Sequence, residues 1–198
     1  MTYNPKDHYF KKAKEQNFAA RSVFKLEEID LKFKILKPKQ TVLDLGASPG
    51  SWSQYCSQKI GPEGRILGVD LRPVTAKLKN ATFIQADLRD LEIEKVFTQF
   101  GFSPPFDLVI SDMAPNTTGI RMTDQARSAE LCHLALEMAR KFLKKDGHFI
   151  CKLFHSDDFT IIKNLIKDEY QRFEAVKPES TRKISKEIFL VGLKKKNF

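Results

Sequence analysis

Val42-Leu43-Asp44-Leu45-Gly46-Ala47-Ser48-Pro49-Gly50-Ser51-Trp52 reads as a buried strand, a glycine-bearing turn and the start of a helix, with one carboxylate near the strand's end. An α/β protein builds its ligand pocket at such a place, because ligands settle beyond the carboxyl ends of parallel strands. Gly46 and Gly50 allow close backbone approach there, since glycine takes φ > 0 without steric cost. The dinucleotide fingerprint G-x-G-x-x-G is absent. A stiff Pro49 separates the two glycines, and Asp44 precedes the loop.

Working outward, apolar positions at Val23, Phe24, Leu26, Ile29 and Phe33 predict a leading helix over about 19–33, with Lys25 near its middle. A helix is expected from Ser51 or Trp52 to Ile60, stopped by Gly61-Pro62. Strands are expected at Thr41–Leu45, Arg65–Asp70, Thr82–Gln85, Phe106–Ser111, His148–Phe154, Phe173–Lys177 and Glu187–Leu193. Helices are expected over Leu91–Phe100, from Thr123 or Asp124 to about Lys145, and over Asp157–Tyr170. Strands alternating with helices imply an α/β fold with a mostly parallel sheet covered on both faces. The chain of 198 residues is expected to form one domain over 1–198, with 1–17 as a loose basic arm.

A pyrophosphate seeks helix N–H groups free of nearby negative charge, so a loop preceded by Asp44 suits a ligand without phosphates. S-adenosylmethionine, with its sulfonium and amino-acid end, fits it better than NAD. Asp70 closes the second strand, where such folds place the partner of a ribose hydroxyl pair. Asp87, in Gln85-Ala86-Asp87-Leu88, is placed to accept from an adenine amino group. Each Asp alone could simply cap a turn. Three acids at successive strand ends beside the glycine loop favour a ligand site. Asp112 ends the fourth strand in Ser111-Asp112-Met113-Ala114-Pro115-Asn116. Methyltransferases of amino groups carry an Asn- or Asp-Pro-Pro-aromatic tetrad there. This chain lacks the aromatic, which favours an oxygen acceptor over a base nitrogen.

Lys152 interrupts the apolar strand Ile150-Cys151-Lys152-Leu153-Phe154. A lysine in a strand covered on both faces is costly unless paired or functional; at a frayed strand end it would be bland. Glu187 opens the last strand, so Lys25, Asp112, Lys152 and Glu187 could converge at the carboxyl edge of the sheet.

The net charge of +9 is uneven. Residues 1–39 carry ten Lys/Arg against five Asp/Glu, residues 177–198 seven against two, and the middle is close to neutral. Two basic ends around a near-neutral body suit a polyanion such as RNA, because cations that neutralise phosphates release counterions. Tyr9, Phe10 and Phe18 interleave with Lys11, Lys12, Lys14 and Arg21, and such aromatics stack on bases or cover a core equally well. Lys194, Lys195 and Lys196 read as solubilising. Cys56, Cys132 and Cys151 show no paired spacing, so reduced thiols in a cytoplasmic protein are expected, with no disulfide and no metal. No run approaches the ~18 apolar residues of a membrane span, and no membrane or obligate protein partner is inferred.

The segments 21–29, 44–54, 111–116, 152–154 and 180–189 together resemble the FtsJ/RrmJ family of ribosomal RNA large-subunit 2′-O-ribose methyltransferases, over roughly residues 8–193. The glycine loop is shared by many methyltransferases; the ordered Lys-Asp-Lys-Glu set in its local contexts is specific. The resemblance implies a Rossmann-like, S-adenosylmethionine-dependent fold whose seven-stranded sheet has an antiparallel last strand. It implies cofactor contacts at Gly50, Trp52, Asp70, Asp87 and Asp112, beside the loop residues Asp44, Gly46, Ala47 and Pro49. It implies a catalytic tetrad of Lys25, Asp112, Lys152 and Glu187, with Lys152 accepting the proton, and a uridine of 23S ribosomal RNA in the large subunit as acceptor. Two departures stand out: His155-Ser156 where the family often has Gly, and Phe189 where it often has Tyr. Other readings are a transfer-RNA methyltransferase, an RNA-binding ribosome-assembly factor with a vestigial pocket, and a nicotinamide oxidoreductase, the last disfavoured by the missing phosphate fingerprint.

Overall fold

The computed structural model describes residues 8–90, 92–182 and 184–197. Its strands are β1 (Thr41–Leu45), β2 (Arg65–Asp70), β3 (Ala81–Gln85), β4 (Phe106–Ser111), β5 (Leu143–Phe154), β6 (Tyr170–Val176) and β7 (Glu187–Lys195). They form one sheet in the order β3-β2-β1-β4-β5-β7-β6. The strands β1 to β5 pair in parallel, and β7 lies antiparallel between β5 and β6. The helices are α1 (His8–Glu15), α2 (Val23–Phe33), α3 (Ser51–Ile60), α4 (Ile93–Gln99), α5 (Arg121–Phe142) and α6 (Asp158–Glu169).

Alternation along the strands divides the core in two. Leu43, Leu45, Val109, Phe149, Cys151 and Leu190 pack with α4, α5 and α6 on one face. Val42, Leu108, Ile110, Ile150, Phe189 and Val191 pack with α1, α2 and α3 on the other. The same period of two decides where polar residues go. Asp44 follows the parity of Val42, Asp112 that of Ile110, Lys152 that of Ile150, and Glu187 that of Phe189. All four are thereby directed to the face that carries α2 and its Lys25.

Several boundaries differ from expectation. Residues 8–15 are not a loose arm but the helix α1, docked through buried Ala13 and through Tyr9, whose ring lies 5.5 Å from that of Phe24; residues 1–7 lie outside the described residues. The helix expected from Ala19 begins at Val23, because α3 holds the preceding turn: Trp52 Nε1 donates to the Ser22 carbonyl at 2.9 Å, and Ala19 N–H to Gln54 Oε1 at 2.7 Å. The long helix ends at Phe142 rather than Lys145, and β5 starts at once.

Lys195 and Lys196 do more than solubilise. Lys195 Nζ donates to the carbonyls of Ala139 (2.9 Å), Arg140 (2.6 Å) and Leu143 (3.0 Å), closing the C-terminus of α5. Lys196 does the same for α6 through Lys167 (3.1 Å) and Asp168 (2.8 Å). A cation there satisfies orphan carbonyls and meets the negative end of the helix dipole. Cys132 of α5 and Cys151 of β5, far apart in sequence, meet as free buried thiols with their sulfurs 3.0 Å apart. Among the described residues no helix is long and apolar enough to cross a membrane.

Candidate active site

The carboxyl ends of β1 to β4 open onto a cleft of about 590 Å³. Its walls come from Gly46 and Ser48 after β1, Asp70 to Arg72 after β2, Ala86 to Arg89 after β3, Asp112 to Asn116 after β4, and the middle of α5 from Arg127 to Leu134. Gly46 has φ +77°, and a Cβ there would stand 2.6 Å from Met113 Cγ. Gly50 has φ +114°, and a Cβ there would stand 2.4 Å from Ala76 Cβ. Both glycines are therefore required by the turn and by what packs on it.

Of the residues read from sequence as cofactor contacts, Gly46, Asp70, Asp87 and Asp112 line this cleft. Asp44, Ala47, Pro49 and Gly50 build the strand end and turn behind it. Trp52 lies deeper: 3% exposed, it packs against Phe189 with ring centroids 5.7 Å apart. Its indole N–H is committed to Ser22.

The sequence Asp-Leu-Arg occurs twice, at 70–72 and 87–89, and makes the same turn each time. Arg72 N–H donates to Asp70 Oδ1 at 2.8 Å, and Arg89 N–H donates to Asp87 Oδ1 at 3.0 Å. Ser48 N–H donates to Asp70 Oδ2 at 2.9 Å, tying the glycine loop to β2. An ionised carboxylate accepts about four bonds, so both acids keep acceptor capacity towards the cleft. Sequence reasoning singled out the two acids and missed their arginines, although the repeated tripeptide was visible.

Asp44 is 1% exposed. Its Oδ2 accepts from Ser53 Oγ at 2.6 Å, while Oδ1 has no hydrogen-bond partner. Burial pushes its carboxyl up to about 7; the Ser53 bond opposes this, and the negative charges of Asp112 and Asp70 add to it. Ser53, nine residues on in α3, is a site residue that sequence reasoning missed, since serine in a helix carries no signal of its partner.

At the Asp112 end of the cleft the four residues of the expected tetrad meet as two ion pairs. Lys152 Nζ donates to the Asp112 carbonyl at 2.6 Å and to Asp112 Oδ1 at 2.9 Å. Lys25 Nζ donates to Glu187 Oε2 at 2.6 Å and lies 5.6 Å from the centroid of Phe189. Register joins the pairs. Lys152 faces Phe189 and Phe154 faces Glu187 across the β5–β7 ladder, so Lys152 and Glu187 are diagonal neighbours on one face. Lys152 is 6% exposed, a buried paired lysine rather than a solvated strand end.

Asp124, buried at the start of α5, accepts from Thr118 N–H (2.7 Å), Thr118 Oγ1 (2.9 Å) and Gly119 N–H (3.2 Å). These bonds hold its carboxyl below the usual range and fix the loop after Asp112. Beyond that loop a second depression of about 340 Å³ is lined by Arg121, His155, Lys177, Lys186 and Glu187, with Ile184 on its rim.

A doubly wound sheet whose cleft meets its ligand with carboxylates rather than free helix amides suits a cationic adenosyl donor, and the class so defined is the Rossmann-like, S-adenosylmethionine-dependent methyltransferases. Solved structures carry the same fold. A Plasmodium falciparum protein assigned as a ribosomal RNA methyltransferase superposes with a TM-score of 0.79 at 24% identity, covering 91% of this chain and all of that one. Fibrillarin of Aeropyrum pernix, crystallised with S-adenosyl-L-methionine, gives 0.63 at 18% identity, covering 87% of this chain and 76% of that one. The chain belongs to the FtsJ-like methyltransferase family, whose model matches residues 18–195. Its relatives include ribosomal RNA large subunit methyltransferase E of Bdellovibrio bacteriovorus, 74% identical with 99% of this chain and 100% of that one covered. The enzyme of the same name from Syntrophobacter fumaroxidans is 45% identical, with 98% of each covered.

The residues present fit the cofactor. Asp70 and Asp87 offer acceptors suited to a ribose diol and an amino group, and Gly46 keeps the cleft floor free of side chain.

Proposed function

We propose that the chain methylates a ribose 2′-hydroxyl of large-subunit ribosomal RNA, at a uridine of the 23S molecule, in the cytoplasm. The observation that carries this reading is the pairing of Lys152 with Asp112 at the end of the cofactor cleft. When bound, S-adenosylmethionine supplies a methyl whose S–C bond breaks, with its electron pair passing to sulfur, as the new O–C bond forms.

The chain's residues then have to bring the ribose oxygen in line and dispose of its proton. Positioning supplies most of the acceleration. A ribose hydroxyl is a poor nucleophile, so its proton must leave during or just after transfer. To act as base Lys152 must give up the charge it carries in its ion pair with Asp112; as the free amine it would keep both hydrogens on the Asp112 carbonyl and carboxylate. The lone pair is left to take the hydroxyl proton. Once protonated, the amine has a third N–H with which to hold the methylated oxygen. Lys25 fixes Glu187 beside it, and the pair borders the depression lined by Arg121, Lys177 and Lys186. Those cations support a phosphodiester strand lying next to the acceptor ribose. The large-subunit substrate is supported by the names of the relatives at 74% and 45% identity.

The test is methyl transfer from labelled S-adenosylmethionine to isolated 50S subunits, naked 23S RNA and transfer RNA, followed by mass-spectrometric mapping. A single 2′-O-methyluridine in 23S RNA is expected. Label on a base, or only on transfer RNA, would overturn the reading. Binding of the donor with no transfer to any of the three would instead support an assembly factor.

A further inference from the structure

The depression of about 340 Å³ beside the tetrad shares Glu187 with it. Its cations differ from those of the cofactor cleft and the tetrad. Lys25, Arg72, Arg89 and Lys152 each lie against a carboxylate. Arg121, Lys177 and Lys186 are exposed, and among the described residues none of the three is ion-paired. On the same wall the backbone of His155 is held from both sides. Its N–H donates to the Lys186 carbonyl at 3.0 Å, and its carbonyl accepts from Gln125 Nε2 at 2.5 Å. The exposed imidazole stacks on the ring of Phe159, with centroids 5.2 Å and planes 13° apart. Ile184, 89% exposed, adds apolar surface at the rim. Uncommitted cations beside a fixed, flat ring are what a single nucleic-acid strand needs, since cations track its backbone while bases stack on the ring. The acceptor chemistry creates that need. The side chain of Lys152 is 5% exposed, so a ribose that reaches its amine has to leave the base stack. The next nucleotide then loses a stacking partner.

We propose that the depression is a subsite for the nucleotide next to the acceptor, with its base stacked on His155 and its phosphates held by Arg121, Lys177 and Lys186. The proposal rests on the reading of the tetrad as an RNA 2′-O site and adds what holds the strand open there. Placement supports it. Phe154 pairs with Glu187 across the β5–β7 ladder and His155 follows directly, so the ring stands one residue beyond the tetrad. The division of labour follows from chemistry. The ring replaces the lost stacking partner whatever the base, because every base has a π-face. The cations fix the strand's position through its phosphates and carry no sequence information. Losing the ring therefore weakens binding of the RNA without touching the transfer step, and losing a cation makes binding less sensitive to salt.

The experiment is methyl transfer from labelled S-adenosylmethionine to unmethylated 50S subunits, with kcat and KM for the subunit measured over a series of potassium chloride concentrations. Stacking of one base is worth about tenfold in binding. His155→Ala should raise KM about tenfold and leave kcat close to wild type. His155→Phe keeps a ring against Phe159 and should restore KM. Arg121→Gln and Lys177→Gln should each reduce the slope of log kcat/KM against log salt by about 0.7, the value of one phosphate contact on a single strand. A benzophenone photocrosslinker in place of Ile184 should mark 23S RNA beside the methylated nucleotide. An unchanged KM in His155→Ala, a His155→Phe variant as impaired as the alanine, or an unchanged salt slope in both cation variants would overturn the proposal. So would a crosslink confined to a ribosomal protein, which would make the depression a protein contact. Failure of the wild-type chain to methylate a ribose in 50S subunits is a different result: it overturns the underlying reading and the subsite with it.

Discussion

The two halves of the site are built in opposite ways. The cofactor half is made of turns: a glycine loop and two Asp-Leu-Arg corners, each closed by bonds between residues near in sequence, as in Arg72 N–H to Asp70 Oδ1 and Arg89 N–H to Asp87 Oδ1. The acceptor half is made of long reaches. Lys152 meets Asp112 across 40 residues, and Lys25 meets Glu187 across 162. Local turns hold the donor while sheet register holds the acceptor groups, so the halves should respond separately to substitution.

The largest effect should come from Lys152→Ala. General acid–base assistance contributes roughly 10²–10⁴ in rate, and the substitution also frees the Asp112 carbonyl and carboxylate. Methyl transfer should fall about a thousandfold, with the affinity for S-adenosylmethionine within a few-fold of wild type. Single-turnover rates and calorimetric affinity measured on the same preparation check this. A loss of affinity as large as the loss of rate would break the separation of the halves.

The next effect belongs to the cofactor half and concerns stability. The carboxyl of an unfolded Asp titrates near ~3.9, whereas Asp44 in the folded chain is pushed up to about 7. The folded protein thus keeps a proton that the unfolded chain has released. The stability contributed by Asp44 is fully present below ~3.9 and is lost as pH rises through about 7. The full loss is on the order of 4 kcal/mol, about three pKa units at ~1.36 kcal/mol each. Asp44→Asn removes the charge and keeps an oxygen for Ser53. Without cofactor it should unfold at a higher temperature than wild type at pH 8, and at nearly the same temperature at pH 4. Thermal unfolding at the two pH values checks this, and an equal offset at both would refute the buried charge.

The same contrast explains how much could be read in advance. The strands were legible because β1, β2 and β4 are short apolar runs ending in acids, and the glycine loop because its parts are contiguous. Helix α1 was not legible: only Ala13 is buried along its length, and its lysines mask a short apolar face whose partner, Phe24, lies elsewhere in the chain. The start of β5 was hidden by Lys144-Lys145-Asp146, which read as a helix end. For the tetrad, sequence supplied the four residues and their common sheet edge, and resemblance supplied their catalytic roles. The pairing of Lys25 with Glu187 and of Lys152 with Asp112 became visible only with the β5–β7 register. Ser53 and the open oxygen of Asp44 had no sequence signature, since burial and an unmade bond are properties of packing.

The smallest effect tests whether the acceptor half depends on the far end of its own strand. β7 begins at Glu187, in the site, and ends at Lys195, which closes α5 through the carbonyls of Ala139, Arg140 and Leu143. Lys195→Met keeps much of the apolar stem and removes the three donors. A charged donor at a helix C-terminus is worth roughly 1 kcal/mol, and a midpoint shift of about 2–4 °C follows for a chain of this size. Cofactor affinity should be unchanged, because the cleft is lined by Arg127 to Leu134 of α5 and not by the carbonyls of Ala139, Arg140 and Leu143 that Lys195 holds. If β7 transmits the loss to Glu187, the transfer rate falls while the affinity holds, and the acceptor half depends on the whole strand. If rate and affinity both hold while the midpoint drops, the register near Phe154 and Phe189 is enough to keep Glu187 in place.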